Sequence, residues 1–242
     1  MLKFPSLVAV GDSALLVEFE NHIDALTNAK VLSLKHLLDD TEITGIIETV
    51  ASFRSLLIHY NCLVISLADL EAGVGRLLAS SEHQVNSGKR WRIPVFYHGH
   101  GAVDLDEVAR IHGLTTNEVI RLHKESNFQV YMVGFAPGWC YLGGLNPMLH
   151  TPRLDSPRLQ VPAGCISIGG QQGMIGALPM PSGWRLLGQT PVKSYVPDRD
   201  PPFIISAGDL IEFYQINAAE YERMQQAAER GELIAQDITN NQ

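Results

Sequence analysis

Hydrophobic and polar positions alternate with two different periods in the first third of the chain. Apolar residues recur at helical spacing over residues 24–38, where Asp24 is a candidate N-cap, and again over residues 69–80. The pattern predicts a ββαββα unit in which two helices cover one face of a small sheet. The strand-like runs, with a period of two, lie at residues 7–10, 14–19, 45–50 and 55–60.

A polar stretch, SSEHQVNSGK at residues 80–89, follows this unit and has the composition of a linker. Few apolar residues interrupt it, so it is a poor candidate for a packed element. We therefore place the first domain at residues 1–83, the linker at residues 84–90 and the second domain at residues 91–242.

The second domain opens on an alternating run at residues 90–98, which predicts a strand. Two short helices are predicted after it. Asp104 with Glu107, and Thr115 with Glu118, both have the spacing of a capped helix start. Further predicted elements are strands at residues 127–133 and 210–216 and a charged helix at residues 218–233.

The stretch between those elements, residues 134–191, holds 11 of the 21 glycines and 8 of the 13 prolines. That density excludes long helices, because glycine and proline are the poorest helix formers. Interleaved aromatic and aliphatic residues supply enough apolar surface for a core, which argues against disorder. The pattern therefore favours short strands joined by tight turns, in a compact β-barrel or sandwich.

Charge distinguishes the same stretch from the rest of the chain. It carries three arginines and one acid, Asp155, a formal charge of +2 in a chain with a net charge of -8. An acidic chain repels nucleic-acid phosphates and anionic membrane surfaces, so we expect neither as a partner. Arginines on short loops bind carboxylate or phosphate through a bidentate fork, which indicates a small anionic ligand. Alternatively, these arginines pair with acids elsewhere in the chain.

The candidate site residues come from this stretch and from the YHGHG segment at residues 97–101. His150 and His98 are the candidates for proton transfer, because imidazole titrates near neutral pH. Structural roles stay open for both histidines, and the aromatic candidates are equally compatible with a core. The candidates for binding substrate or an anion are Arg153, Arg158, Arg185, Gln172, Tyr141 and Trp184.

The cysteines are three in number and far apart, which indicates reduced thiols and a cytoplasmic location. Cys140 is a candidate nucleophile, although a small buried filler is the commoner role. No CxxC, HExxH or EF-hand spacing occurs, so no metal is expected. The N-terminus lacks a signal-peptide pattern, and no apolar run approaches the roughly 20 residues that span a bilayer.

Three segments carry a family resemblance: GFAPGWCYLGGL, HTPRLDSPRLQVPAGCISIGGQQ and SGWRLLGQTP, in that order from residue 134 to residue 191. They resemble the carboxyltransferase subdomain C and D family, which includes the 5-oxoprolinase B subunit, allophanate hydrolase subunit 1 and Kip-type kinase inhibitors. The N-terminal pattern and YHGHGAVDL also fit, so the resemblance covers nearly the whole chain. It implies an α+β N-terminal ferredoxin-like domain followed by a mainly-β cyclophilin-like barrel.

The resemblance also implies an activity and partners. It implies the B-type component of an ATP-dependent 5-oxoprolinase, which opens 5-oxoproline to glutamate together with a C-type subunit (allophanate hydrolase subunit 2 type) and an A-type subunit. ATP is implied as a cofactor, although the chain has neither a P-loop nor GxGxxG. The alternatives are an inhibitor that binds a sensor histidine kinase, a subunit of an allophanate or urea amidolyase-type enzyme, and a scaffold for its partner.

Four positions depart from the pattern that relatives typically show: Cys140, Gly173, Gly176 and Ser182. Where relatives have QTGIYP, this chain has Gln172 followed by glycine, so a threonine and a tyrosine hydroxyl are lost from the predicted pocket wall. We expect the scaffold to be kept and the choice of substrate to be affected.

Overall fold

The computed structural model describes residues 4–80 and 88–240. The chain divides into two compact units, residues 1–86 and residues 87–242, each with its own hydrophobic core. The predicted linker at residues 84–90 lies mainly outside the described residues. Of its described part, Lys89 N donates to Asp209 Oδ1 at 2.8 Å and Arg90 begins a strand. The predicted domain boundaries at residues 83 and 91 stay a prediction.

The first unit has the ββαββα order that the sequence predicts. Its four strands form one antiparallel sheet in the order β1-β2-β4-β3. Asp24 caps the first helix as predicted, since its carboxylate accepts a hydrogen bond from Thr27 N at 2.8 Å. The elements are β1 (Ser6–Val10), β2 (Ala14–Glu18), α1 (Ala25–Thr41), β3 (Ile46–Ala51), β4 (Ser55–Tyr60) and α2 (Leu67–Ser80).

The second unit is a large mixed sheet with short helices. Eight strands lie in the order β12-β9-β10-β7-β6-β13-β5-β14, and β8 pairs separately with β11. Its strands are β5 (Arg90–Val95), β6 (Phe128–Val133), β7 (Cys140–Gly143), β8 (Arg158–Val161), β9 (Cys165–Gly169), β10 (Gln172–Gly176), β11 (Met180–Ser182), β12 (Arg185–Gln189), β13 (Leu210–Gln215) and β14 (Gln236–Asp237). Its α-helices are α3 (Leu105–His112), α4 (Thr116–Lys124) and α5 (Ala218–Glu229).

The eight-stranded sheet closes on itself. Phe96, which follows β5, and Gln189 of β12 exchange two backbone hydrogen bonds of 2.8 and 2.9 Å. The bridge joins β12, at one edge of the sheet, to the end of β5, which lies next to the other edge strand. A sheet whose opposite sides are joined in this way forms a barrel. Residues 134–191 supply β7 to β12 and contain no α-helix, as their glycine and proline content predicts.

The structure confirms one helix prediction in this unit and refines two others. Thr115 and Glu118 form the predicted capping box of α4. Asp104 stands at the N-cap position of α3, but its side chain makes no capping hydrogen bond. The terminal helix ends at Glu229, four residues before the predicted end at residue 233, because Gly231 adopts a left-handed φ of 90° just beyond it. In the described ranges, none of the helices is long and apolar enough to cross a bilayer.

Candidate functional site

A cleft with a volume of about 320 Å³ opens in the second unit beside the loop that joins β6 to β7. Its walls come from that loop, from β7 and β10, from the segment before β8 and from the β11–β12 turn. Volumes of this order suit small ligands. The lining residues, all within residues 134–191, are Phe135, Trp139, Tyr141, Arg153, Pro157, Met174, Pro181, Ser182, Gly183 and Trp184.

Strand alternation decides which side chains reach the cleft. In β7, Cys140 and Leu142 are fully buried in the core, so Tyr141 between them faces the other way. Met174 of β10 pairs directly with Tyr141 and lines the same wall. Gly169 of β9 leaves room for Trp184, since a Cβ there would come within 2.7 Å of the indole ring. The wall thus combines Tyr141 and Met174 from two paired strands with Trp184 from the β11–β12 turn.

The aromatic rings of the cleft meet edge to face. Tyr141 and Trp184 have ring centroids 5.6 Å apart at an interplanar angle of 77°. Phe135 and Trp139 have centroids 5.5 Å apart at 67°. These geometries are favourable for aromatic pairs, because the positive ring edge approaches the negative face. The result is a largely apolar cleft with aromatic walls.

One cation lies in this apolar setting. Arg153 Cζ is 5.2 Å from the centroid of the Trp184 ring, within the range of a cation–π interaction. Among the described residues, its guanidinium has no carboxylate within 4.0 Å and no hydrogen-bond acceptor. Burial raises the pKa of the Tyr141 hydroxyl and the Arg153 charge opposes that rise, so Tyr141 is protonated at neutral pH and able to donate. Arg153 and Tyr141 therefore leave donors for an anion in the cleft.

The other two candidate arginines already have carboxylate partners. Arg158 Nη2 lies 2.7 Å from Asp104 Oδ1, and Arg185 Nη1 lies 2.6 Å from Glu107 Oε2. The second oxygen of Asp104 accepts a hydrogen bond from Leu186 N at 2.7 Å, which explains why this carboxylate does not cap α3. Both pairs correspond to the alternative that the sequence left open, arginines paired with acids elsewhere in the chain.

The structure does not bring the remaining candidates to the cleft. His150 is half-buried, and its Nε2 lies 3.3 Å from the carbonyl oxygen of Leu145. His98 is exposed, with its ring centroid 5.5 Å from that of Phe96. Gln172 is buried at the start of β10, and its Nε2 has no hydrogen-bond partner among the described residues. The predicted roles of these three side chains stay predictions.

Several residues that line the cleft are not among the site residues predicted from the sequence. From the sequence, Trp139 is as compatible with the core as with a site. Phe135, Met174 and Ser182 have no sequence feature that indicates a binding role, apart from their place in the glycine- and proline-rich stretch. Cys140 is a buried filler: burial, with a smaller contribution from Asp209, raises the pKa of its thiol to about 12. Within the described ranges, no group of three His, Cys, Asp or Glu residues has the arrangement of a metal site.

Three other cavities formed by described residues lack this combination of features. A cavity of about 370 Å³ in the first unit contains Lys30, whose Nζ lies 3.4 Å from Glu20 Oε1. Two cavities beside α5 measure about 230 and 220 Å³ and are lined mainly by loop and helix side chains. The cleft with Arg153 is therefore the candidate site.

Comparison with known proteins assigns the chain to a family. Residues 5–205 match the model of the carboxyltransferase domain, subdomain C and D. The chain is 33% identical to the 5-oxoprolinase B subunit of Bacillus subtilis over 224 residues, covering 88% of this chain and 93% of that protein. It is 34% identical to the 5-oxoprolinase B subunit of Escherichia coli O157:H7, covering 84% of this chain and 93% of that protein.

Solved structures agree on the fold. The crystal structure of TTHA0988 matches with a TM-score of 0.75 and 32% identity, covering 85% of this chain. This chain spans only 40% of that protein. Urea carboxylase of Kluyveromyces lactis matches with a TM-score of 0.81 at 21% identity, covering 95% of this chain and 23% of that protein, and shows the α+β fold alone. From the family model and these relatives, the chain belongs to the family of carboxyltransferase subdomains C and D, together with the bacterial 5-oxoprolinase B subunits.

Proposed function

We propose that this chain is the B-type component of an ATP-dependent 5-oxoprolinase-type hydrolase, which opens the lactam of 5-oxoproline to glutamate. The observation that carries the proposal is the unpaired Arg153 on Trp184, in a small cleft of a chain that spans 93% of the Bacillus subtilis relative. 5-Oxoproline is a five-membered lactam with one carboxylate, so its charge and size suit one free guanidinium in a cleft of about 320 Å³.

Roles for the cleft residues follow from this proposal. Arg153 binds the substrate carboxylate through its guanidinium fork, and the Tyr141 hydroxyl donates a second hydrogen bond. Trp184 holds Arg153 in place and forms part of the apolar wall. Arg158 and Arg185 act indirectly, because their ion pairs join β8 and β12 to the start of α3.

ATP does not fit the cleft of this chain. A triphosphate carries several charges and is normally bound by a nest of backbone N–H groups, lysine or arginine, and a metal ion. The cleft offers one unpaired guanidinium, and the other two arginines of the stretch are held by Asp104 and Glu107. We therefore assign ATP to a partner chain, the A-type or the C-type subunit, in a cytoplasmic complex.

We also propose the finer fold assignments. The sheet order β1-β2-β4-β3 becomes the order of a ferredoxin-like domain if β1 takes the place of its last strand, a permuted arrangement. The closure of the eight-stranded sheet at Phe96 and Gln189 supports the cyclophilin-like barrel. A small cleft of about 320 Å³ suits a metabolite better than the extended segment that a kinase inhibitor would capture, so the inhibitor hypothesis has less support.

The test is reconstitution of the complex. The chain is co-expressed with its C-type and A-type partners, and ATP hydrolysis that depends on 5-oxoproline is measured. We expect Arg153→Ala to lower kcat/KM by roughly 10- to 100-fold, the effect of removing a charge-assisted hydrogen bond. Arg121→Ala is the matched control, because Arg121 pairs with Glu125 on the surface of α4. The absence of turnover with every combination of partners would refute the proposal.

A further inference from the structure

The loop that joins β6 to β7, residues 134–139, has an unusual residue at its tip. Phe135 adopts a φ of 70°, in the left-handed region that a side chain with a Cβ rarely occupies. The other non-glycine residue with positive φ in the described part of the chain is Glu42, at the end of α1, where such a conformation is common. Backbone strain of this kind is found preferentially at functional sites.

The loop does not need the Phe135 side chain for its own structure. Gly134 N donates to the carbonyl oxygen of Trp139 at 3.0 Å, and Trp139 N donates to that of Ala136 at 3.2 Å. Ser194 Oγ donates to the carbonyl oxygen of Gly138 at 2.9 Å and ties the loop to the unit. Phe135 is 64% exposed, so it contributes little to the core. The loop backbone is therefore held without the Phe135 side chain, whose ring contact among the described residues is the edge-to-face pair with Trp139.

The position of the ring indicates a role for this side chain. Phe135 lines the cleft that contains Arg153, and its ring meets Trp139 edge to face at 5.5 Å. An aromatic face at the open side of an apolar cleft is available to stack on a flat ligand group. Arg153 supplies the charge complement at the Trp184 wall. A ligand that uses both features carries one carboxylate and a compact planar group.

We propose that Phe135 is a specificity-determining residue, whose strained backbone holds its ring to stack on the planar amide of a compact monocarboxylate bound by Arg153. The inference rests on the proposed function, since it names the ligand class of the same cleft. It adds Phe135 to the binding residues and gives a selection rule. The cleft binds ligands that have both a planar amide and a carboxylate, and it binds ligands that lack either group more weakly.

Binding is measured with the full chain through tryptophan fluorescence. Two of the three tryptophans, Trp139 and Trp184, line the cleft. Trp91 is buried, with its Nε1 donating to Asp209 Oδ2 at 2.9 Å. The probes are 5-oxoproline, 2-pyrrolidinone, which lacks the carboxylate, cyclopentanecarboxylate, which lacks the planar amide, and ATP. We expect 5-oxoproline to bind most tightly and ATP to leave the signal unchanged.

Two variants isolate Phe135, because glycine and asparagine both tolerate a left-handed backbone. We expect Phe135→Gly and Phe135→Asn to weaken 5-oxoproline binding about three- to tenfold, the effect of one aromatic stacking contact. The affinity for cyclopentanecarboxylate should fall less in these variants, because this probe has no planar amide for the ring to stack on. The Tm of Phe135→Gly should change little, because relief of the strained backbone offsets the lost ring contact with Trp139. Leu159→Ala, which removes a 92% exposed apolar side chain from β8, is the control and should bind like the wild type.

Three outcomes would overturn the inference. They are unchanged 5-oxoproline affinity in both variants, a fall of several degrees in the Tm of Phe135→Gly, and absence of 5-oxoproline binding by the full chain. Displacement of 5-oxoproline by ATP would overturn the selection rule. Binding without turnover in the reconstituted complex would instead remove the proposed function and leave the assignment of Phe135 standing.

Discussion

The glycine- and proline-rich stretch places arginines of the same kind in two different surroundings. On one side, Arg158 and Arg185 form ion pairs of 2.7 and 2.6 Å with Asp104 and Glu107. On the other, Arg153 lies over Trp184 and has no carboxylate partner among the described residues. Arg153 and Arg158 are five positions apart, so local sequence does not separate their roles. The difference shows that neighbours from distant parts of the chain decide whether an arginine is paired with a carboxylate inside the protein.

The two surroundings also differ in what they contribute to stability. The Asp104 side chain is 4% exposed and the Arg158 side chain 30% exposed. Removal of the arginine therefore leaves a buried carboxylate whose remaining partner among the described residues is Leu186 N. Removal of Arg153 takes away one cation–π contact at an exposed position. The first loss is costly and the second is small.

The largest expected effect comes from breaking the paired side. We expect Arg158→Ala to lower the free energy of unfolding by about 2–4 kcal/mol, somewhat less than for a fully buried pair because Arg158 keeps contact with solvent. Arg153→Ala is the matched control and should cost about 1 kcal/mol or less. Urea denaturation of both variants measures the contrast. Equal losses would show that the two surroundings are energetically alike.

A smaller effect is expected at a buried histidine, which extends the comparison to a side chain with no charged partner among the described residues. His123 is fully buried, shares a 2.9 Å hydrogen bond with Tyr97 Oη, and stacks on Phe213 at 4.9 Å. Burial lowers the pKa of His123 to about 3. In the unfolded chain His123 takes up a proton near pH 6.5, whereas in the folded chain it stays neutral until the pH approaches 3. Stability contributed by neutral His123 is therefore complete above pH 6.5 and is lost as the pH falls toward 3.

The measurement is the slope of stability against pH. From this group alone we expect a loss of about 1 kcal/mol between pH 6 and pH 5. His123→Gln lowers stability at neutral pH, but its loss of stability between pH 6 and pH 5 should be smaller than that of the wild type by about this amount. Identical slopes would mean that His123 is protonated in the folded chain.

The smallest effect concerns reactivity and leaves stability unchanged. Cys140 and Cys165 are buried, and burial raises the pKa of each thiol to about 12, whereas Cys62 is exposed. Because the thiolate is the reactive form, one thiol of the native chain should react rapidly with an aromatic disulfide reagent, and three after denaturation. Cys62→Ser should abolish the rapid phase. A rapid phase that disappears in Cys140→Ser would restore Cys140 as a nucleophile.

Much of the local structure could be predicted because its causes lie within a few residues. The capping box of Thr115 and Glu118 and the N-cap at Asp24 depend on contacts three residues apart. The side chain of Asp104 escaped prediction, because Arg158 and Leu186 N compete for its oxygens from 54 and 82 positions away. Long-range contacts limit prediction of the site in the same way. The sequence candidates included three residues that line the cleft, Arg153, Tyr141 and Trp184. They also included Arg158 and Arg185, which are paired with acids from a distant segment.

The sequence by itself determined the element order, the stretch that contains the cleft and the family resemblance, because periodicity, glycine and proline content and motif order are properties of consecutive residues. Only the tertiary structure decided that Phe96 meets Gln189 to close the sheet, that Arg153 alone of three arginines lacks an acid among the described residues, and that Phe135 faces the cleft. Such facts depend on which strands become neighbours. That choice is made by the burial of the whole core, and no short segment encodes it.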